Sequence, residues 1–377
     1  MPRASAVIGS GFIGTVHMEA IRRMGCDVKG VLASNSESTA RGTQKLKLRH
    51  AYSNIEEICA DPDIDVVHVT SPNALHFPQV MALLQAKKHV MCEKPLALTA
   101  SEGEKMLEVA KNMSVKHAVT FNTRFYPMVH EAHARVANGS IGEVRYVKGD
   151  YHQDWLLFET DWNWRLIPDE AGKLRAVADI GSHLIDQLSF ITNLEVESVF
   201  ADLHTFIKMR KSPKGPVQTF TQDKSAERVD VPMSSDDAAG ILLRYRNGAR
   251  ATLSISQVSA GRKNGPTWEI SGSQSALAFD AMNPDALWIG HRGEPNDILY
   301  KDPSLLSADA ARITFYPGGH IEGFGETFRG LFETFYSDIE KGNMSGKYPT
   351  FSDGVRSLRV TDAIAESSEK ESWVSVR

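Results

Sequence analysis

Along the first third of the chain, short apolar runs alternate with segments whose apolar residues recur every three or four positions. Residues 6–8 (Ala-Val-Ile) form the kind of run a buried strand presents. Residues 16–24 follow with helical spacing at Met18, Ala20, Ile21 and Met24. Gly25 stops that helix, and 28–33 reads as a second strand. The pattern then repeats. Strands are predicted at 65–69, 89–92 and 118–121, and helices at 77–86 and 101–111, with Ser101 and Glu104 placed as a capping box. Steady strand–helix alternation predicts a parallel sheet covered by helices.

After about residue 124 the pattern changes. Residues 144–151 alternate apolar with polar. The runs 241–245 and 249–257 flank Arg246-Asn247-Gly248, a hairpin turn signal. Further short strands are predicted at 268–272, 276–279 and 286–289, and helices at 181–192 and 326–341. Residues 208–229 are highly charged, contain prolines, and read as a surface loop. There is no internal repeat.

The first predicted strand runs into Gly9-Ser10-Gly11-Phe12-Ile13-Gly14, a G-x-G-x-x-G sequence inside a strand–turn–helix unit. In that setting the first glycine permits a tight turn. The second lets backbone approach a pyrophosphate, and the third lets helix pack on strand. The helix start at Phe12 and Ile13 would then present N–H groups to the phosphates. The fold class that follows is α/β. A dinucleotide-binding, doubly wound parallel (Rossmann) domain is predicted over 1–124. An α+β domain with an open, mostly antiparallel sheet is predicted over 125–377.

Composition narrows the partners. The chain has 377 residues, 42% of them hydrophobic, and a formal net charge of −5. That balance advertises neither nucleic acid nor an anionic membrane. No run approaches the roughly 20 apolar residues of a membrane helix. Residues 1–4 lead directly into the first strand, so no signal peptide and a cytoplasmic protein are expected. Cys26, Cys59 and Cys92 suggest neither a disulfide framework nor a metal site.

Four motifs in order carry a resemblance: Gly9–Gly14, then Ser71-Pro72-Asn73 with His76, then Glu93-Lys94-Pro95, then Asp179-Ile180-Gly181-Ser182-His183. Together they resemble the glucose–fructose oxidoreductase / inositol dehydrogenase (Gfo/Idh/MocA) family, over essentially the whole chain. The resemblance implies a nicotinamide cofactor, sugar or cyclitol substrates, and homodimers or homotetramers through the open sheet. It implies a catalytic Lys94, a cofactor-side Glu93, and Ser71, Pro72, Asn73 and His76 along the cofactor.

The residues themselves agree on the chemistry. Oxidising a secondary alcohol releases a hydride and a proton. A histidine is the side chain best suited to take the proton near neutral pH. Asp179 and His183 are four apart, so on a helix they share a face, and the carboxylate would orient the imidazole. The other reading is an N-cap Asp179 with an unrelated buried histidine. Asp186, three residues on, receives no role. Lys94, at a strand end, would stabilise a developing alkoxide. Asn122 and Arg124 leave the last parallel strand where cofactor or substrate contacts are expected.

Between 155 and 164 lie three of the six tryptophans, Trp155, Trp162 and Trp164, interleaved with polar groups and followed by Arg165. Apolar platforms with a few polar anchors suit a sugar. The other reading is a buried aromatic cluster or a subunit contact. His320 lies in a glycine-rich loop and reads as solvated. At the end of the second strand, Ala33-Ser34-Asn35-Ser36-Glu37 lacks the acid that would grip an NAD ribose. Ser34 and Asn35 can serve either coenzyme and Arg41 can meet a phosphate, so NAD and NADP both stay open.

Three functions compete. The first is an NAD(P)-dependent dehydrogenase or reductase acting on a sugar, glycoside or cyclitol hydroxyl. The second is a glycoside-cleaving enzyme that retains its cofactor and works by oxidation, elimination and reduction. The third is a non-catalytic dinucleotide sensor, against which Lys94, Asp179 and His183 argue.

Overall fold

The computed structural model describes residues 4–214, 227–343 and 345–377. Two compact units are present. The first comprises the chain up to Asn122 together with Asp169–Gly172 and Gly325–Leu358; the second comprises Thr123–Pro168, Lys173–Phe324 and Arg359–Arg377.

The first unit holds β1 (Ser5–Ile8), β2 (Val28–Leu32), β3 (His50–Ala51), β4 (Val66–Val69), β5 (His89–Cys92) and β6 (His117–Val119). They form one parallel sheet in the order β3-β2-β1-β4-β5-β6. Strand order therefore reverses between β1 and β4, the place where ligands bind such sheets. The strands are buried on both faces, as apolar residues without alternation require. Ala6, Ile8, Val67, Val69, Val90 and Cys92 pack with Val80, Leu83 and Leu84 of the helix His76–Gln85.

One helix start differs from expectation. The helix Ala100–Asn112 is capped by Thr99, whose hydroxyl accepts from Glu102 N, while Glu102 Oε2 accepts from Leu98 N. Thr99-x-x-Glu102 and Ser101-x-x-Glu104 are the same motif two residues apart. Thr99 has the extended backbone a cap needs (φ −138°, ψ 156°) and wins. The helix Phe351–Lys370 was absent from the predicted elements; its Phe351, Val355 and Leu358 complete this core.

The second unit holds a nine-stranded sheet. Its strands are β7 (Val144–His152), β8 (Val196–His204), β11 (Ala238–Tyr245), β12 (Arg250–Ser256), β13 (Gly265–Gly272), β14 (Ala276–Asp280), β15 (Ala286–Gly290), β16 (Asp297–Tyr300) and β17 (Val374–Ser375). The order is β16-β15-β14-β13-β7-β12-β11-β8-β17, antiparallel except where β7 meets β12. The β11–β12 hairpin turns at Arg246-Asn247-Gly248, with Gly248 at φ 93° and Tyr245 N bonded to Ala249 O. The helix Ser182–Thr192 packs on this sheet through Leu184, Ile185 and Leu188, against Leu253 and Ile255. A Cβ on Gly149 of β7 would stand 3.1 Å from both Leu184 and Leu253, so glycine there sets how closely helix and sheet approach. The helix Pro127–Ala137 is a further element the periodicity did not announce.

The described residues of the charged segment 208–229 are not a plain loop. Strands β9 (Met209–Pro213) and β10 (Arg228–Pro232) pair as an antiparallel ribbon. Lysine and arginine on its faces hide the alternation. Residues 215–226 lie outside the described residues.

Candidate active site

In the first unit, Gly9 has φ 111°, and a Cβ on it would collide with Thr70; a Cβ on Gly14 would collide with the Gly9 carbonyl. Both glycines are therefore required by the strand–helix junction itself. Gly11 is different: it is exposed, with nothing within 4 Å of a Cβ position. It is also the N-cap of the helix Phe12–Arg23, which has no side-chain cap and no acidic residue in its first turn. Phe12 is half exposed and Ile13 half buried beside it. A helix N-terminus carries partial positive charge and outward N–H groups. Left open and acid-free, this one fits the pyrophosphate of a dinucleotide.

Beyond β2, Ser34 is exposed and Asn35 Oδ1 caps the helix Ser36–Lys45 by accepting from Ser38 N at 2.8 Å. Glu37, in the first turn of that helix, pairs with Arg41 at 3.3 Å on the surface. Beyond β4, Ser71 Oγ donates to Gln79 Oε1 at 2.6 Å, Pro72 leads into a short 3-10 turn, and Asn73 Nδ2 donates to Ala171 O at 3.1 Å.

His76 is completely buried, with Nδ1 2.8 Å from Pro95 O and Nε2 2.9 Å from Ser71 O. Both ring nitrogens are spent on main chain. His76 ties the loop after β4 to the loop after β5. Burial pushes its pKa down, against the two carbonyls.

Beyond β5, Glu93 is buried; its Oε2 accepts from Lys94 N at 3.2 Å and its Oε1 lies 3.0 Å from His17 Nε2. Lys94 is half buried, at the end of the strand. Asn122 is buried and donates to Thr327 Oγ1 at 2.8 Å.

In the second unit, His183 is buried near the start of the helix Ser182–Thr192, which is pinned in two places. Arg124 grips Asp186 with a two-bond fork, Nε to Oδ2 at 2.6 Å and Nη2 to Oδ1 at 2.5 Å. Gln187 donates to Thr123 O at 2.7 Å and accepts from the Trp268 indole at 2.8 Å. Arg124 is buried in this pair and lies over the Phe190 ring at 5.1 Å. Arg124 thus holds Asp186, a pairing that spacing alone did not assign.

Asp179 lies on a π-helical turn, Val177–Gly181, so the ordinary four-residue helix spacing to His183 does not apply. Its carboxylate accepts from Arg165 Nε on one oxygen and from Gln257 Nε2 on the other, both at 2.8 Å. The turn is in turn capped by buried Asp236, which accepts from Arg175 N at 2.6 Å and Val177 N at 2.8 Å. Burial raises the Asp236 carboxyl to about 6. Gln257, Gln187 and Asp236 carry no local sequence signal; each is separated by 59 residues or more from the group it holds.

Trp155, Trp162, Trp164 and Arg165 are all half buried. The Arg165 guanidinium stacks 4.4 Å over Trp164. Trp155 Nε1 donates to Gln153 Oε1 at 2.8 Å, and Gln153 and Tyr151 both donate to Asn264 Oδ1. Asp154 instead holds the 261–263 loop through Gly261 N and Lys263. His320 is exposed and bonded within its own loop to Gly318 O. Among the described residues no cluster of three or more His, Cys, Asp or Glu could hold a metal. No described helix is long and apolar enough to cross a membrane.

Residues 4–121 match the family model described as oxidoreductase family, NAD-binding Rossmann fold, and residues 129–278 match the GFO/IDH/MocA C-terminal domain. Levoglucosan dehydrogenase of Pseudarthrobacter phenanthrenivorans is 31% identical over 385 aligned positions, covering 98% of this chain and 97% of that protein. Myo-inositol 2-dehydrogenase of Thermotoga maritima is 28% identical over 256 positions, 67% of each chain. A solved structure of levoglucosan dehydrogenase in complex with NADH and levoglucosan matches with a TM-score of 0.88 at 29% identity, covering 99% of both chains.

Proposed function

The chain belongs to the Gfo/Idh/MocA family of oxidoreductases, and on that premise we propose that it is a nicotinamide-dependent dehydrogenase for a secondary hydroxyl of a sugar, glycoside or cyclitol. The observation that carries this reading is the open, uncapped and acid-free helix start at Gly11. Gly9, Gly11, Phe12, Ile13 and Gly14 would hold the pyrophosphate. Ser34 and Asn35 would meet the adenosine ribose, and the loops 71–73 and 93–94 the nicotinamide end. When bound, the cofactor supplies a two-electron hydride acceptor.

The chain's own residues supply the rest. The imidazole of His183 takes the proton from the substrate hydroxyl oxygen. The Lys94 ammonium donates a hydrogen bond to that oxygen and stabilises the negative charge it develops. Arg165, Gln257 and Asp236 hold the turn that carries Asp179 into the helix of His183, which Arg124 and Gln187 anchor from the far side. Trp155, Trp162 and Trp164 offer apolar faces to the C–H faces of a sugar ring. At the ribose end, Glu37 and Arg41 neutralise each other, and a 2′-phosphate would meet the Glu37 carboxylate; this favours NAD over NADP. Tyr146, Leu242, Ile298 and Tyr300, exposed on the nine-stranded sheet, support assembly through that face.

The test is a separation of binding from turnover. Lys94→Met and His183→Ala should bind NADH with near wild-type affinity by fluorescence titration and lose turnover. Near-full turnover in either variant would remove that residue from the reaction.

A further inference from the structure

Behind Glu93 lies a continuous line of buried polar side chains within the first unit. Glu93 Oε1 is 3.0 Å from His17 Nε2, and His17 Nδ1 is 2.9 Å from His68 Nδ1. His68 Nε2 is 2.9 Å from the Tyr336 hydroxyl, which is 2.6 Å from Ser5 Oγ. His17 and His68 are completely buried, and Ser5, Glu93 and Tyr336 nearly so. Phe328, Phe332 and Tyr336 recur every four residues along the helix Phe324–Lys341, so they share one face. The Phe332 ring centroid stands 4.8 Å from that of His17 and 4.7 Å from that of His68. Nothing in the proposed reaction so far uses these residues.

A neutral imidazole has one donor and one acceptor nitrogen, and an ionised carboxylate only accepts. Those two facts set every proton in the line. Ionised Glu93 requires His17 Nε2–H. His17 Nδ1 then carries a lone pair and must receive His68 Nδ1–H. His68 Nε2 is left to receive the Tyr336 O–H, and the Tyr336 oxygen receives the Ser5 O–H. Every bond is satisfied, and all donors point toward Glu93. Burial and the neighbouring His17 hold the pKa of His68 well below its usual value, and burial raises that of Tyr336, so both are neutral as the line requires. Protonating Glu93 would reverse every donor in turn.

We propose that His17, His68 and Tyr336 are positioning residues: their one-way hydrogen-bond line holds the Glu93 carboxylate oriented, with its second oxygen on the Lys94 backbone N–H. This rests on the reading of Lys94 as the group that binds the substrate oxygen. A buried polar line that is fully satisfied fixes one geometry; one that is cut leaves alternatives of similar energy.

The experiment uses the full chain labelled with ¹⁵N-histidine. Long-range ¹H–¹⁵N spectra should show His17 as the Nε2–H tautomer and His68 as the Nδ1–H tautomer. Tyr336→Phe removes the only proton aimed at His68 Nε2. The His68 Nδ1–H tautomer, fixed by His17, should persist with a shifted Nε2 resonance, while kcat falls by roughly ten- to a hundredfold, the range found when partners behind an active group are removed. The KM for coenzyme should hardly move. His17→Gln keeps a donor for Glu93 and an acceptor for His68, so it should retain most of kcat, whereas His17→Leu should not. An Nε2–H tautomer for His68 in the unmodified chain would overturn the proposal. So would a Tyr336→Phe variant that keeps kcat. Full activity in Lys94→Met, with the assigned tautomers present, would instead overturn the reading of Lys94.

Discussion

Arg165 Nε donates to Asp179 Oδ1 at 2.8 Å while the guanidinium plane lies 4.4 Å over Trp164. One side chain thus links the tryptophan-rich segment to the turn that leads into His183. Arginine suits this post because its planar fork can stack and donate at once, which lysine cannot do. Arg165→Lys should therefore behave as a damaging change. We expect kcat/KM for the sugar to fall about ten- to a hundredfold, with coenzyme binding unchanged. Steady-state kinetics with coenzyme titration checks this; a variant with unaltered kcat/KM would detach Asp179 from the reaction.

Removing the base or the alkoxide donor should have larger effects. His183→Ala and Lys94→Met are each expected to lower kcat by roughly a hundred- to ten-thousandfold. The fold should survive both, which circular dichroism and thermal melting can verify.

The open space at Gly11 allows an unusually clean separation of fold from binding. Its φ of −74° suits any residue, and no atom blocks a side chain. Aspartate is among the best N-caps. Gly11→Asp should thus leave the melting temperature unchanged or raised, while its carboxylate repels the pyrophosphate and NADH binding is lost. Retained binding would place the nucleotide elsewhere. Gly14→Ala, by contrast, should destabilise the first unit outright, because its Cβ meets the Gly9 carbonyl.

Acid stability should report on Asp61. Burial alone would raise its pKa. The Lys29 ammonium, the Tyr52 hydroxyl and the Asp63 backbone N–H outweigh burial and hold it down to about 2. A carboxyl whose folded pKa is depressed adds stability above its unfolded pKa, near 3.8, and loses it as pH falls toward 2. Asp61→Asn should lower the melting temperature at neutral pH and flatten the melting profile between about pH 4 and pH 2. A parallel loss at every pH would show that the ion pair contributes nothing beyond packing.

Local signals read well from the sequence where local chemistry decides. Five of the six parallel strands, the glycine loop and the Gly248 hairpin follow from periodicity and from the φ a turn demands; the two-residue β3 is too short to leave a periodic signal. Where two local signals competed, as at Thr99 and Ser101, only the backbone at the cap could choose. The ribbon of β9 and β10 was masked because charge on both faces removes the alternation that marks a strand. Long-range polar pairing was not legible at all. Arg124 finds Asp186 across 62 residues, His17 finds Glu93 across 76, and His68 finds Tyr336 across 268. No window of periodicity spans such distances. The return of residues 325–358 to the first unit is of the same kind, since its reason is burial against residues far earlier in the chain.

The most direct measurement is the absorbance of reduced nicotinamide with purified protein, NAD or NADP in separate wells, and a panel of sugars, anhydrosugars and cyclitols. The account predicts a rise with NAD and at least one of these polyols, weaker with NADP, and lost in His183→Ala. No rise with any polyol, together with no oxidation of NADH by the matching keto-sugars, would contradict it.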